Sequence, residues 1–266
     1  LATALVSAAA IMTMSTTAFA AENPAEVFDR VMEKNNTIQS AEIQSGVHSV
    51  ILAKDVIPDG QMKVDMAMHA EMDMQDTTDL KYLAQVASSI LGQDSYSQVF
   101  YTDGYYYVDA NGVKLKYPMP LEQIISSVQT GVNTSNMESS YMKGISLNEV
   151  NGKRVLAYEA NPKKLNKNVK EALGTVMNTL GTDINLDMNI QEMKGAYVLD
   201  DNDYIIYMTN YIVYNMEVLD QPMTCITLME TEVQNPGEPV VVTLPSTDGY
   251  EDLIGLYDGV IESEVE

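Results

Sequence analysis

The chain has 266 residues, with 38 Asp and Glu against 15 Lys and Arg, and a formal net charge of −23. Such a surface repels nucleic acid and anionic membranes, while 45% hydrophobic residues are enough for a substantial core, so global disorder is excluded. The single cysteine, Cys225, rules out an intrachain disulfide and reads as a small buried hydrophobe.

Residues 1–20 carry no charge and end in Ala18-Phe19-Ala20, an A-x-A cleavage pattern. The expectation is a cleaved signal peptide over 1–20, a secreted or extracytoplasmic protein and no stable membrane anchor. The position directly after the cleavage point is Ala21 and not Cys, so no lipid-modified terminus is expected. A single domain is expected over 21–245, then an acidic C-terminal tail over 246–266. The tail carries Asp248, Glu251, Asp252, Asp258, Glu262, Glu264 and Glu266 and no Lys or Arg.

Asn23-Pro24 predicts a helix start, Asn as cap and Pro at the first helical position. Val27, Phe28, Val31 and Met32 share one face of that helix, and the pattern ends at Asn35-Asn36. A strand follows over 41–53, then a turn at Pro58-Asp59-Gly60 and a long strand over 61–74. Met62, Met66, Met68, Met72 and Met74 stand on one face of this strand with Val64 and Ala70, and Met188 recurs in a later strand. Lys63, Asp65, His69, Glu71 and Asp73 take the other face. At about 3.3 Å per residue the strand runs on the order of 40 Å, and a sheet of such strands must curl strongly.

Leu80, Leu83, Val86, Ala87 and Ile90 have helical spacing and predict a short helix. Strands are predicted over 96–101, 105–108 and 113–117, with turns at Thr102-Asp103-Gly104 and Asp109-Ala110-Asn111-Gly112. A helix over 118–132 and a polar linker over 133–136 come next. Two strands flank Asn151-Gly152-Lys153, and Leu165, Val169, Leu173 and Val176 mark a helix over 162–180. Ile184, Leu186, Met188 and Ile190 alternate as a strand, which an acidic turn at Asp200 to Asp203 joins to strands over 204–218, 224–233 and 240–244. Without regular βαβ alternation, this is an α+β fold with a strongly curved antiparallel sheet around helices.

The N-terminal helix, the long strands and the aromatic hairpin Val99-Phe100-Tyr101-Thr102-Asp103-Gly104-Tyr105-Tyr106-Tyr107 resemble the LolA/LppX-like lipoprotein-carrier superfamily. The similarity is to its secreted Gram-positive branch of uncharacterised function. Asn111 to Pro118 and the closing Leu244-Pro245 add to the likeness. The resemblance implies a half-open barrel, a curved sheet over inner helices, with an apolar cavity that accepts acyl chains and is lined by the methionine face. It departs from many members in lacking their lipidated cysteine.

The leading functional expectation is therefore non-catalytic binding of an apolar ligand, a lipid or acylated molecule. The residues expected at the ligand are Met62, Val64, Met66, Met68 and Met72, with Ile184, Leu186 and Met188, and Val27, Phe28 and Val31 of the first helix. Packed shut on one another, the same residues would be ordinary core. A second reading is an extracellular Cu(I) or Ag(I) protein using Met66, Met68, Met72 and Met74, since thioethers prefer soft ions. On a regular strand His69 points away from these methionines, so three ligands round one ion need a loop or bulge there. A third reading is an envelope protein–protein interaction module with a protein partner, its contacts drawn from Tyr105, Tyr106 and Tyr107, which must face both sides of their strand.

No enzyme activity, catalytic residue, metal or cofactor is expected. The only histidines, His48 and His69, sit in no motif with Ser or Cys, and no zinc signature, P-loop or dinucleotide fingerprint is present. Asp200-Asp201-Asn202-Asp203 lacks the Gly and distant Glu of a calcium loop and reads as an acidic hairpin turn. Asp248 stands where a sortase signal at Leu244-Pro245-Ser246-Thr247 needs Gly.

Overall fold

The computed structural model describes residues 22–53, 57, 59–76, 80–121, 137–167, 188–218 and 221–253. The signal peptide, the linker over 133–136, most of the helices expected over 118–132 and 162–180, and Ile184 and Leu186 lie outside the described residues. The described chain is mostly strand. Its helical parts include α1 (Pro24–Asn35), one 3-10 turn (Ser139–Tyr141) and the helical residues 162–167. The described residues thus show a mostly stranded fold with few helices, and the expected wrapping of the sheet around helices is not shown by them. The chain divides into two units, each of which takes part of β1 (Ser40–Leu52) and β2 (Gln61–Asp73).

The first unit holds α1, Gly46–Asp65 and Ser135–Glu232. Its strands β7 (Met142–Val150), β8 (Lys153–Ala160), β9 (Met188–Leu199), β10 (Ile205–Val218) and β11 (Gln221–Gln234) run in the order β2-β1-β11-β10-β9-β8-β7. Helix α1 starts as its sequence dictates: Asn23 Oδ1 accepts from Ala25 N at 3.1 Å, and Pro24 opens the first turn. Val27, Phe28 and Val31 are wholly buried, in one cluster with Leu147, Leu156, Tyr158, Tyr197, Leu199 and Ile205. The Phe28 ring meets Tyr158 edge-on at 5.8 Å, and Tyr158 stacks on Tyr197 at 5.2 Å. Such ring pairs add about 0.5–1.5 kcal/mol beyond the area they bury.

The end of α1 is pinned by the β9–β10 turn. Asn35 donates to Val31 O at 2.8 Å and to Asp203 O at 3.0 Å, and its Oδ1 accepts from Ile205 N at 2.9 Å. Asp203 accepts from Arg30 Nε at 2.8 Å and pairs with Arg154. Asp200 Oδ1 accepts from the backbone of Asn202 and Tyr204, both at 2.8 Å. The acidic run is therefore a hairpin turn, as read, and it also docks the helix.

The second unit holds Asn36–Ser45, Met66–Thr134 and Val233–Glu266. Its strands β3 (Lys81–Ile90), β4 (Gln93–Thr102), β5 (Tyr105–Ala110), β6 (Val113–Pro118) and β12 (Glu251–Asp252) run in the order β12-β6-β5-β4-β3-β2-β1. The helix expected over 80–90 is a strand. It pairs antiparallel with β4 from Ile90↔Gln93 to Tyr82↔Tyr101, through a two-residue loop whose Leu91 and Gly92 both have positive φ. That is the turn that matches strand twist. The helical spacing arose because both faces of this strand bury apolar groups. Leu83 packs with Phe100 and Tyr107, while Tyr82 packs on the other side with Met72 and Tyr101. A strand buried on two faces loses its period of two.

Two further expectations change. The strand expected over 240–244 lies outside the assigned strands, although its alternation is real: Val242 is buried, Val240 and Leu244 pack beside it, and Val241 is 89% exposed. Within the expected tail, Tyr250 is buried against Phe100 and Tyr107, at 5.6 and 5.1 Å between ring centroids. Glu251 then pairs in parallel with Leu115.

Candidate functional site

In the second unit, alternation along β2 places Met66, Met68, Ala70 and Met72 on one face. Met72 and Met74 share a cluster with Tyr82, Tyr101 and Tyr106, so that face is continuous with one side of β3, β4 and β5. Strand register fills it in rows. Tyr82, Tyr101, Tyr106 and Tyr117 are cross-strand partners in one row. The next row is Ala84, Val99, Val108 and Leu115, and the one beyond is Val86, Ser97, Ala110 and Val113. Directly opposed side chains of this kind are the unit of sheet stabilisation.

The face is graded. At the tyrosine end it is closed: Met72 is 1% and Met74 3% exposed, and Tyr101 donates to Met119 O at 3.3 Å. Burial pushes the Tyr82, Tyr106 and Tyr117 hydroxyls up, and for Tyr106 the neighbouring Tyr82 and Tyr117 add to it. These tyrosines therefore stay neutral, which suits an apolar surface. Away from that row the face opens. Val99, Val108, Leu115 and Met68 are half-buried, Met66 is 39% exposed, and Ile90 and Val113 are exposed.

The residues expected from the sequence are only partly brought together. Val27, Phe28 and Val31 are interior to the first unit's cluster, which holds none of the β2 methionines. Met62 and Val64 are half-buried in the first unit, as is Met188 at the start of β9. Met66, Met68 and Met72 belong to the second unit. β2 runs unbroken from Gln61 to Asp73. Met66 and Met72 are thus about 20 Å apart along it, too far for one shared metal ion on a regular strand.

Sequence reasoning missed the tyrosine row, whose signal is the presence of a Tyr at the matching position of four successive strands. It put His69 on the charged face of its strand but named no partner for either histidine. His48 Nδ1 lies 2.7 Å from Asp65 Oδ1, and His69 Nε2 lies 3.2 Å from Glu42 Oε1 and 3.8 Å from Glu71 Oε1. The His48–Asp65 and His69–Glu42 pairs join β1 to β2, whereas Glu71 neighbours His69 on β2 itself. Of Tyr105, Tyr106 and Tyr107, the outer two pack on the Phe100 side and the middle one on the Met72 side. Among the described residues no group of three or more His, Cys, Asp or Glu could hold a metal ion, and no helix is long and apolar enough to cross a membrane.

No curated protein matches the chain. Among solved structures it is similar to LprF from Mycobacterium bovis, at 10% identity and TM-score 0.35, over 84% of this chain and 97% of that one. The chain is also similar to a β-barrel-like protein of the DUF1849 domain from Brucella abortus, at 12% identity and TM-score 0.24, over 75% and 100% of the two chains. A third likeness is to the ywiB protein from Bacillus subtilis, at 10% identity and TM-score 0.21, over 75% and 96%. A family model described as "Family of unknown function (DUF6612)" matches residues 23–245, and the chain belongs to that family.

Proposed function

We propose that this is an exported, non-catalytic binding protein that holds an apolar ligand, a lipid or acylated molecule, against the methionine and aliphatic face of its second unit. The observation that carries the reading is the gradient on that face, closed by the tyrosine row at one end and open at Met66 at the other. An acyl chain laid over Met66, Met68, Val99, Val108 and Leu115 removes apolar surface from water on both partners, worth about 25 cal/mol per Å². Methionine suits this role because its unbranched, three-torsion side chain re-packs around an irregular guest. The acidic exterior keeps the loaded carrier dispersed. Export through a cleaved signal peptide over 1–20 is part of the proposal.

The test is titration with a fluorescent acyl-chain probe, followed by displacement with unlabelled acyl chains of increasing length. Affinity is expected to rise about fourfold per methylene, the equivalent of about 0.8 kcal/mol, until the face is filled. It is also expected to fall in Met66→Ser/Met68→Ser. Binding that ignores chain length, or is undiminished in that double variant, contradicts the site.

A further inference from the structure

A second set of soft donors lies in the first unit, in a part of the sheet that the acyl-binding reading does not use. Met216 on β10 is the cross-strand partner of both Met223 on β11 and Met188 on β9, so three thioethers stand side by side in one row. Cys225, two residues beyond Met223, shares that face and is 1% exposed. Its Sγ lies 3.7 Å from Met216 Sδ. The three methionines are half-buried, so the thiol is reached from the methionine side.

The spacing has chemical meaning. With metal–sulfur bonds of about 2.3 Å and a near-tetrahedral angle, two sulfurs on one ion stand about 3.7–3.8 Å apart. Neighbouring strands are about 4.8 Å apart, and a methionine with three free torsions can swing its sulfur across that gap. Thiolate and thioether donors select Cu(I) over harder ions. Asn215 and Glu217, the oxygen-bearing neighbours of Met216 on β10, take the opposite face by alternation. We propose that Cys225, Met216 and Met223, with Met188 beside them, form a binding site for a soft monovalent ion, Cu(I) or its analogue Ag(I). On binding, the Cys225 thiol gives its proton to solvent as the sulfur–metal bond forms, and no group changes oxidation state.

Tyr214 supports the thiolate. It is the cross-strand partner of Cys225. Its hydroxyl hydrogen-bonds with Cys225 and with Thr227, so it is placed to donate to the sulfur, as groups around metal ligands commonly do.

The site stands independently of acyl binding, and its test uses the metal alone. The chain from Ala21 onward is titrated with Ag(I) under native mass spectrometry, and with Cu(I) buffered by a competing chelator. One equivalent is expected to be retained. Affinity should fall by about a hundredfold or more in Cys225→Ser, and by at least about tenfold in Met216→Leu/Met223→Leu, by comparison with the 10–100-fold cost of changes around a metal site. It should be unchanged in Met66→Leu/Met68→Leu. Methionine-methyl NMR of the unaltered chain supplies a readout free of folding effects: Ag(I) should shift Met216 and Met223 and leave Met66 and Met68 in place. Absence of a retained ion, equal retention by Cys225→Ser, or shifts confined to the β2 methionines overturns the proposal.

Discussion

Arg30, on the second turn of α1, places its Nε 2.8 Å from the carboxylate of Asp203 in the β9–β10 turn, a contact spanning 173 residues of sequence. Arg154 from the start of β8 meets the same carboxylate. Burial works to raise the Asp203 carboxyl, but the hydrogen bonds and charges of the two arginines outweigh it and hold it below its ordinary value. A carboxyl lowered in the folded state contributes stability that is complete above its unfolded value of about 3.9, and that is lost as pH falls through the lower folded value. Asp203→Asn is therefore expected to cost about 1–2 kcal/mol at neutral pH, the lower part of the range for charged hydrogen bonds because Arg30 is half exposed. The gap from the unaltered chain should close in acid. Urea unfolding followed from pH 7 down to pH 3 checks this, and a gap that widens in acid contradicts it.

Gly195 on β9 is fixed by space. A Cβ there would stand 2.5 Å from both Asn210 Oδ1 and Thr209 O, and 2.8 Å from the Tyr158 hydroxyl. Thr209 O is backbone and cannot swing away. Gly195→Ala is expected to destabilise by about 1–3 kcal/mol, the usual cost of overpacking. A melting temperature that holds or rises would show that the strand relaxes around the methyl.

Met72 and Met66 occupy one face of one strand and should behave oppositely. Met72 is 1% exposed among Tyr101, Met74 and Leu80, so Met72→Ala opens a cavity and is expected to cost about 2–5 kcal/mol. Met66 is 39% exposed, and Met66→Ala is expected to change stability by no more than about 0.5 kcal/mol while weakening acyl-probe binding. Paired denaturation and probe titration separate the two effects.

Leu91 sits at φ +52 beside Gly92 at φ +77, and its side chain is 68% exposed. A leucine gains nothing from that exposure and has the steric cost of left-handed backbone, whereas Asn-Gly is the preferred pair for such a loop. Leu91→Asn is expected to stabilise by about 0.5–1 kcal/mol. A loss of stability would show that Leu91 makes contacts that matter more than the turn.

Legibility followed the physics of burial. Where one face is buried and the other wet, as in α1 and β2, period and caps gave the element and its orientation. Where turn chemistry is strong, as at Asn111-Gly112 and Asn151-Gly152, the hairpins were readable. β3 was misread because Leu83 and Tyr82 are buried on opposite sides, and 240–244 because alternation reports facing and says nothing of ladder bonds. The candidate face was visible along β2 alone. Its tyrosine row depends on cross-strand register, which joins residues such as Tyr82 and Tyr117 through two intervening strands. Cys225 and Met216 escaped notice for the same reason, since their proximity exists only once β10 and β11 are paired.

The most direct test of the central claim is native mass spectrometry of the chain from Ala21 onward, purified without detergent, with organic extraction of whatever it carries. The account expects a reproducible adduct of acyl-chain mass that is released as lipid, and reloading of the stripped protein by the same lipid. A clean apo mass that stays clean after incubation with lipid would contradict it, and would leave the methionine face as ordinary core.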